Sequence, residues 1–364
     1  MSIDVKSLYS WDTEYSADSA EFCPVEPYHN YLAVGTYQLA DNETENSGIP
    51  EVSSSEESKE KDMAKKRLGR LYVKYFKTDD KKLILIQKIE VEAILDMKWC
   101  QHTYSGDPIL AVANSVGHIL LYRLKSIGGE YLQLVFCSKY EIGEEDTLAL
   151  SLDWSSGKYR DDSPLITVSD SRGKIHILQL CNSELILCKN FSAHGFEAWI
   201  TSFDYWSPQI VYTGGDDSKF RKFDIRCNPA IPLVTSMFHK AGVTSIHSSA
   251  FSEHLLASGS YDETVNLWDT RKIKNPISSL PVDGGVWRLK WDPNGKNYLL
   301  SACMHNGFHI LKNSGTDTHI IASFMEHKSL AYGADWYYGR LENSHIIASA
   351  SFYDHLLCLW EFTG

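Results

Sequence analysis

No stretch of this 364-residue chain comes near the about 20 consecutive apolar residues that a membrane-crossing helix needs, so a helical membrane protein is not expected. The opening MSIDVKSLYSWD has no apolar signal-peptide core, which points away from secretion. None of the 8 cysteines stands in a CxxC pair or at metal-type spacing from a histidine. Reduced thiols in a cytosolic protein, with no metal, are therefore expected. Positive charge is in deficit: 35 Lys and Arg face 47 Asp and Glu, a net charge of -12. That balance is unsuited to gripping nucleic-acid phosphates and suits a cationic partner or ligand. Long helical periodicity is missing, and so are familiar catalytic signatures. ANSVG at 113–117 lacks the first glycine of a nucleophile elbow and reads as a β-turn. GGDD at 214–217 opens no helix and is not a phosphate loop, so no cofactor is expected.

What the chain has is repetition. Its length exceeds the size at which one hydrophobic core stops growing, which predicts two domains or a repeat array. Short alternating strands bounded by Gly, Asp, Asn and Ser recur throughout. The turn before each unit's third strand falls at Gly69, Gly117, Gly173, Ser218, Glu263, Gly307 and His355. These markers lie roughly 44 to 56 residues apart, the period of a four-stranded propeller blade. The strands that follow read LYVKYF, ILLYRL, IHILQL, FRKFDIR, VNLWDTR, HILK and LLCLWEF. The expected fold is all-β: a single seven-bladed WD-repeat propeller over residues 1–364.

The fifth unit carries the full WD-type hydrogen-bond tetrad, His239, Ser258, Asp262 and Trp268, so its histidine is read as structural, as are His194 and His327. The last unit has three strands, and the unpartnered SLYSWDT at 7–13 is expected to supply its fourth, closing the ring. Residues 41–66, DNETENSGIPEVSSSEESKEKDMAKK, are acidic, serine-rich and nearly free of aliphatics, and are expected to be a disordered insertion in the first blade.

The turns of units four to seven read Asp216-Asp217, Tyr261-Asp262, His305-Asn306 and Tyr353-Asp354. The second member is the tetrad acid. Unit six weakens it to Asn306 and also loses the tetrad serine to Ala302 and the tryptophan to Lys312. The first members, Asp216, Tyr261, His305 and Tyr353, are expected to form a polar arc around the central opening. Trp199, Trp287, Phe352 and Glu197 lie nearby in sequence. Such an aromatic cluster also suits a protein-binding surface.

HGFEAWITSFDYW, YTGGDD, GSYDE followed by LWDTR, GGVWRLKWDP, ACMHNGFHIL, SLAYGADW and SFYDH together resemble the WD-repeat diphthine methyl ester hydrolases of diphthamide biosynthesis. The resemblance runs from about Leu148 to the C-terminus and is weaker, repeat-level, before it. It implies a cytoplasmic carboxylic ester hydrolase acting on elongation factor 2. There a histidine is extended and trimethylated on its amine, and the family removes a methyl from its carboxylate, releasing methanol before a separate enzyme amidates it. On that reading Trp199, Trp287, Tyr261 and Tyr353 would cage the quaternary ammonium, with Phe352 and Glu197 beside them. His305 would be the base, oriented by Asp216 or another acid on the arc, and Tyr261, Tyr353 or Arg288 would serve the oxyanion. Ser301 and Cys303 remain open as nucleophiles. The alternative is a non-catalytic scaffold that docks elongation factor 2 or the amidating enzyme.

Overall fold

The computed structural model describes residues 3–40, 66–143, 146–228, 231–315, 317–342 and 344–364. Insertion residues 41–65, expected to be disordered, lie outside the described residues. Among the described residues the secondary structure is strand and turn, arranged as seven four-stranded antiparallel sheets. The seven innermost strands are Ser16–Phe22, Ile94–Trp99, Ala149–Trp154, Ile200–Phe203, Val243–Ser248, Arg288–Trp291 and Ala331–Trp336. Each contacts the next, and the last returns to the first, which makes a closed seven-bladed propeller around an axial channel. No helix among them is long and apolar enough to cross a membrane.

Local chemistry accounts for the repeated turns. Gly117, Gly173, Ser218, Glu263, Gly307 and His355 all have positive φ, the left-handed conformation that reverses the chain between strands two and three. Gly69 differs. It lies inside the strand Arg67–Lys77, whose pairing with Tyr31–Leu39 already begins at Arg67.

Neighbouring blades are stitched together along the inner strands. The indoles of Trp99, Trp154, Trp291 and Trp336 donate to the backbone carbonyls of Glu21, Lys98, His247 and Lys290 on the adjoining blade. The Asp96, Asp153 and Asp335 carboxylates accept from the backbone amides of Leu152, Phe203 and Phe22. Apolar residues fill the wedges between sheets. Phe308 and Phe324 of blade 6, for example, cluster with Trp336 and Trp360 of blade 7.

The tetrad forms as expected in blade 5. The His239 ring is 2.9 Å from Asp262 and 2.8 Å from Ser258, whose hydroxyl also accepts from the Trp268 indole at 2.8 Å. His194 bonds Asp217 and Thr213, and His327 bonds Ser351 and Ser349, so both are structural. Burial opposes ionisation of Asp262, but hydrogen bonds from His239, Thr264 and the Lys240 amide outweigh it and hold the carboxyl below its usual range.

Asp4–Asp12 pairs antiparallel with Leu356–Thr363, so the N-terminal strand completes the seventh blade and starts three residues earlier than the sequence suggested. Trp11 then packs edge-on against Tyr72 of blade 1 at 4.8 Å. The ammonium of buried Lys74 sits 3.4 Å over the Trp11 ring. Burial pushes that lysine down to about 8. A base whose folded pKa is depressed is fully tolerated only above its unfolded pKa, and stability is lost as pH falls through the folded value. Lys74→Met should therefore raise stability at pH 7 by about 1–2 kcal/mol, the desolvation gain less the lost cation–π contact. The gain should shrink as pH rises from 8 towards 10. Urea unfolding across that range measures it, and an unchanging difference would refute the assignment.

Candidate functional site

Counting four residues back from the last residue of each inner strand gives the same rung on all seven blades: Asp18, Leu95, Leu150, Trp199, Thr244, Trp287 and Tyr332. Register shifts interrupt the pairing beside this rung in five blades, at Ala17/Ser19, Ile94/Asp96, Ala149/Ser151, Val243/Ser245 and Ala331/Gly333. In those five blades the bulge re-aims the rung side chain, while Trp199 and Trp287 stand just before their inner strands. Three of the seven are aromatic and one is an acid.

The aromatics meet. Trp199 and Trp287 approach to 6.0 Å although a whole blade separates them, because the intervening rung is the small Thr244. Trp287 stacks on Tyr332 at 4.7 Å and 22°. Tyr261 joins both indoles at 6.1 Å, and Tyr332 continues through Phe352 at 5.1 Å to Tyr353 at 5.0 Å. Tyr37 of blade 1 adds a last ring at 5.8 Å from Phe352. Gly242 permits the arrangement, since a Cβ there would lie 2.9 Å from the Asp216 carboxylate and 3.0 Å from the Tyr261 ring.

Acids surround these rings. Asp216 accepts from the Trp199 indole at 3.0 Å, and its amide bonds the Glu197 carbonyl. Burial first, then Asp216 and Glu197, push the Tyr261 phenol up to about 12. Burial, followed by Asp18, Tyr261 and Tyr353, pushes Tyr332 up as well. Both phenols stay protonated and neutral at physiological pH. The Trp287 indole nitrogen is buried without a hydrogen-bond partner. Faces rich in π density, neutral hydroxyl donors and surplus carboxylate favour a large, weakly hydrated cation.

The residues expected from sequence separate into three groups. Trp199, Tyr261, Trp287, Asp216 and Glu197 come together at the axis, and Phe352 and Tyr353 connect to them through Tyr332. His305 does not join Asp216. It is exposed and lines a depression of ≈ 560 Å³ between blades 6 and 7 with Met325, His327, Lys328 and Tyr353. Two features fix its turn: Met304 bridges to Ala331, and the Asn306 amide donates to the Val282 carbonyl in place of the lost tetrad. Arg288 also stands apart. It is buried in the channel and paired with Asp96 at 3.1 Å, which occupies the guanidinium. Ser301 and Cys303 are fully buried on and just after Tyr298–Ala302, the second strand of blade 6, and burial pushes the Cys303 thiol up to about 12. Tyr332 and Tyr37 were not anticipated. The signal for Tyr332 was available, since AYGADW repeats the aromatic spacing of VWRLKW.

These placements separate structural from exposed turns energetically. Asp262→Ala should cost about 2–3 kcal/mol, because it strands buried His239 and the Lys240 amide. His305→Ala should cost under about 0.5 kcal/mol. Paired urea titrations give both values, and a large His305 cost would mean that its turn is structural.

The WD domain, G-beta repeat family matches residues 232–269. Curated relatives extend much further. The diphthine methyltransferase of Mus musculus is 43% identical over 91% of this chain and 69% of its own length. That of Homo sapiens is 43% identical over 91% of this chain and 74% of its own. The Schizosaccharomyces pombe protein of the same name is 31% identical over 96% and 95%. Among solved structures, a chain in a crystal structure of the mitotic checkpoint complex superposes with TM-score 0.72 and covers 100% of this chain. At 15% identity it bears on the fold alone. The relatives' name corrects one expectation from sequence. They are called methyltransferases, a different reaction type from ester hydrolysis, so the carboxylic ester hydrolase is withdrawn. The docking scaffold gains no better support from the same names.

Proposed function

The chain belongs to the diphthine methyltransferase family, and from that premise we propose that it acts on diphthine carried by a protein, in a step of methyl-group chemistry, with the axial aromatic cluster as the site that grips the modified residue. Elongation factor 2 is the protein substrate on this reading, and the cytoplasm its place of action. The observation that carries the proposal is the run of half-buried rings Trp199, Tyr261, Trp287 and Tyr332 at the channel mouth, bordered by Asp216 and Glu197. A trimethylammonium group matches it. The charge is spread over methyl hydrogens, it loses little hydration on burial, and it is attracted to aromatic faces by about 1–2 kcal/mol per good contact when desolvated. The free Trp287 N–H and the neutral phenols of Tyr261 and Tyr332 supply donors for an oxygen on the same substrate. Phe352 and Tyr353 extend the wall towards the rim, where the substrate protein would rest.

The test uses purified protein and elongation factor 2 carrying diphthine, with a methyl donor supplied in one arm and withheld in the other. The expected outcome is a protein-dependent gain of one methyl mass at the modified histidine when the donor is present and none when it is withheld. No gain with the donor present would overturn the proposal.

A further inference from the structure

Three features of the molecule lie outside the reading above. The depression beside His305 is open and bordered by structural His327. Exposed apolar side chains include Phe196, Met237 and Met325. Neither shows what would occupy it. The third is the charge inside the channel, and it points to a particular residue.

Five carboxyls, Asp18, Glu21, Asp96, Asp153 and Asp335, share the channel with Lys98, Arg288 and Lys290. The pairings are specific. Lys290 binds Glu21 at 2.6 Å and lies 3.6 Å from Asp335. Asp96 takes both Lys98 at 2.9 Å and Arg288 at 3.1 Å. Asp153 accepts from Ser202 and the Phe203 amide. Among the described residues, Asp18 alone of the five makes no ion pair or side-chain hydrogen bond. It is 3% exposed, and its Oδ1 is buried without a partner. An orphaned carboxyl of this kind costs stability unless something offsets it.

Its position supplies a reason. Asp18 is the single acid on the rung that also carries Trp199, Trp287 and Tyr332. The close approach of Gly333 to Asp18 and Ser19 sets blade 1 against blade 7 at this level, a Cβ there falling 3.0 Å from the Asp18 carbonyl. The Asp18 charge acts on the Tyr332 phenol and on Arg288, whose own charge is already shared with Asp96. We propose that Asp18 is the specificity-determining counter-charge of the axial site: its carboxyl makes the aromatic mouth select a methylated ammonium over an uncharged group of the same shape. The inference rests on the reading of the mouth as a cation site and adds the residue that sets its preference. Burial, opposed by Arg288 and reinforced by Asp96, pushes the Asp18 carboxyl up to about 8, so its negative charge develops as an entering cation displaces the proton.

The probes are choline and its uncharged isostere 3,3-dimethylbutan-1-ol, titrated against the full chain and read by the fluorescence of the site tryptophans. In the wild type choline should bind about tenfold more tightly than the alcohol. Asp18→Asn should abolish that preference while leaving binding of the alcohol unchanged, and Asp18→Glu should retain part of it. Asp18→Thr, which copies the rung residue of blade 5, is the second neutral variant. A folded neutral variant that still prefers choline overturns the role of Asp18 but leaves the cation site standing. A wild type that binds both probes equally, or neither, overturns this inference and the grip on trimethylammonium together. Collapse of both neutral variants while Asp18→Glu folds assigns Asp18 to the fold and also overturns it. The mass measurement on elongation factor 2 stands apart from all three outcomes, since it reads the reaction and not the cation preference.

Discussion

Removing residues 1–14 is expected to unfold the whole propeller, not to fray one end of it. Asp4–Asp12 is the outer strand of the last blade, yet it arrives from the opposite end of the chain, so its pairing with Leu356–Thr363 closes the ring. Thr13 continues the link: its amide bonds the His355 carbonyl at 2.8 Å, and its own carbonyl accepts from the buried Tyr72 hydroxyl of blade 1. Trp11 packs on Tyr72 and under Lys74. Deletion would uncover the edge of the last blade, strip apolar cover from blades 1 and 7, and leave Lys74 buried without its aromatic partner. A strand of this size with its cross-blade contacts contributes about 5 kcal/mol or more, comparable with the entire stability of many domains. The truncated chain should show no cooperative thermal transition above room temperature by circular dichroism. A transition within a few degrees of the wild type would show that the ring does not depend on closure.

Trp287→Ala should lower kcat/KM on diphthine-bearing elongation factor 2 by about 100-fold, worth roughly 2.7 kcal/mol of transition-state stabilisation. Trp287 touches three other rings of the cluster: it stacks on Tyr332 and meets Trp199 and Tyr261 at about 6 Å. Its loss removes a cation-binding face and the unpartnered indole N–H, and it frees its neighbours to rotate. Trp287→Phe keeps a π face but no donor and should fall between, about tenfold down. The side chain is half-buried and sits at the mouth, so the variant should remain folded, which a thermal melt checks. Undiminished turnover by a folded Trp287→Ala protein would remove the aromatic cluster from the reaction.

The architecture was legible in the sequence because each blade repeats a local physical need. A left-handed residue must reverse the chain before every third strand, and six of the seven markers do so in the structure. The tetrad of blade 5 was legible for a similar reason, since four polar groups at fixed spacing have few ways to satisfy one another once buried. The site was legible only in part. Trp199, Tyr261 and Trp287 were found because they flank unusual turns. His305 was drawn to the axis by an alignment of turns, whereas the bridge from Met304 to Ala331 and the Asn306 bond to Val282 hold that turn at the groove between blades 6 and 7. Arg288 was read as a free donor because its partner Asp96 lies far away in sequence, on another blade. Asp18 was missed because its rung becomes visible only when the ends of the inner strands are known, whereas Tyr332 could have been found from the spacing that AYGADW shares with VWRLKW. The reaction type was misjudged on family resemblance, which no single turn or ring could correct.

The claim on which the account rests is that the axial mouth holds the trimethylammonium of diphthine. It is tested most directly by proton NMR of a diphthine-bearing elongation factor 2 peptide titrated with the protein. Enclosure among Trp199, Tyr261, Trp287 and Tyr332 predicts that the N-methyl resonance moves upfield through ring currents in the wild type and stays in place with Trp287→Ala. A peptide that binds while its N-methyl resonance remains at the free position would contradict the account.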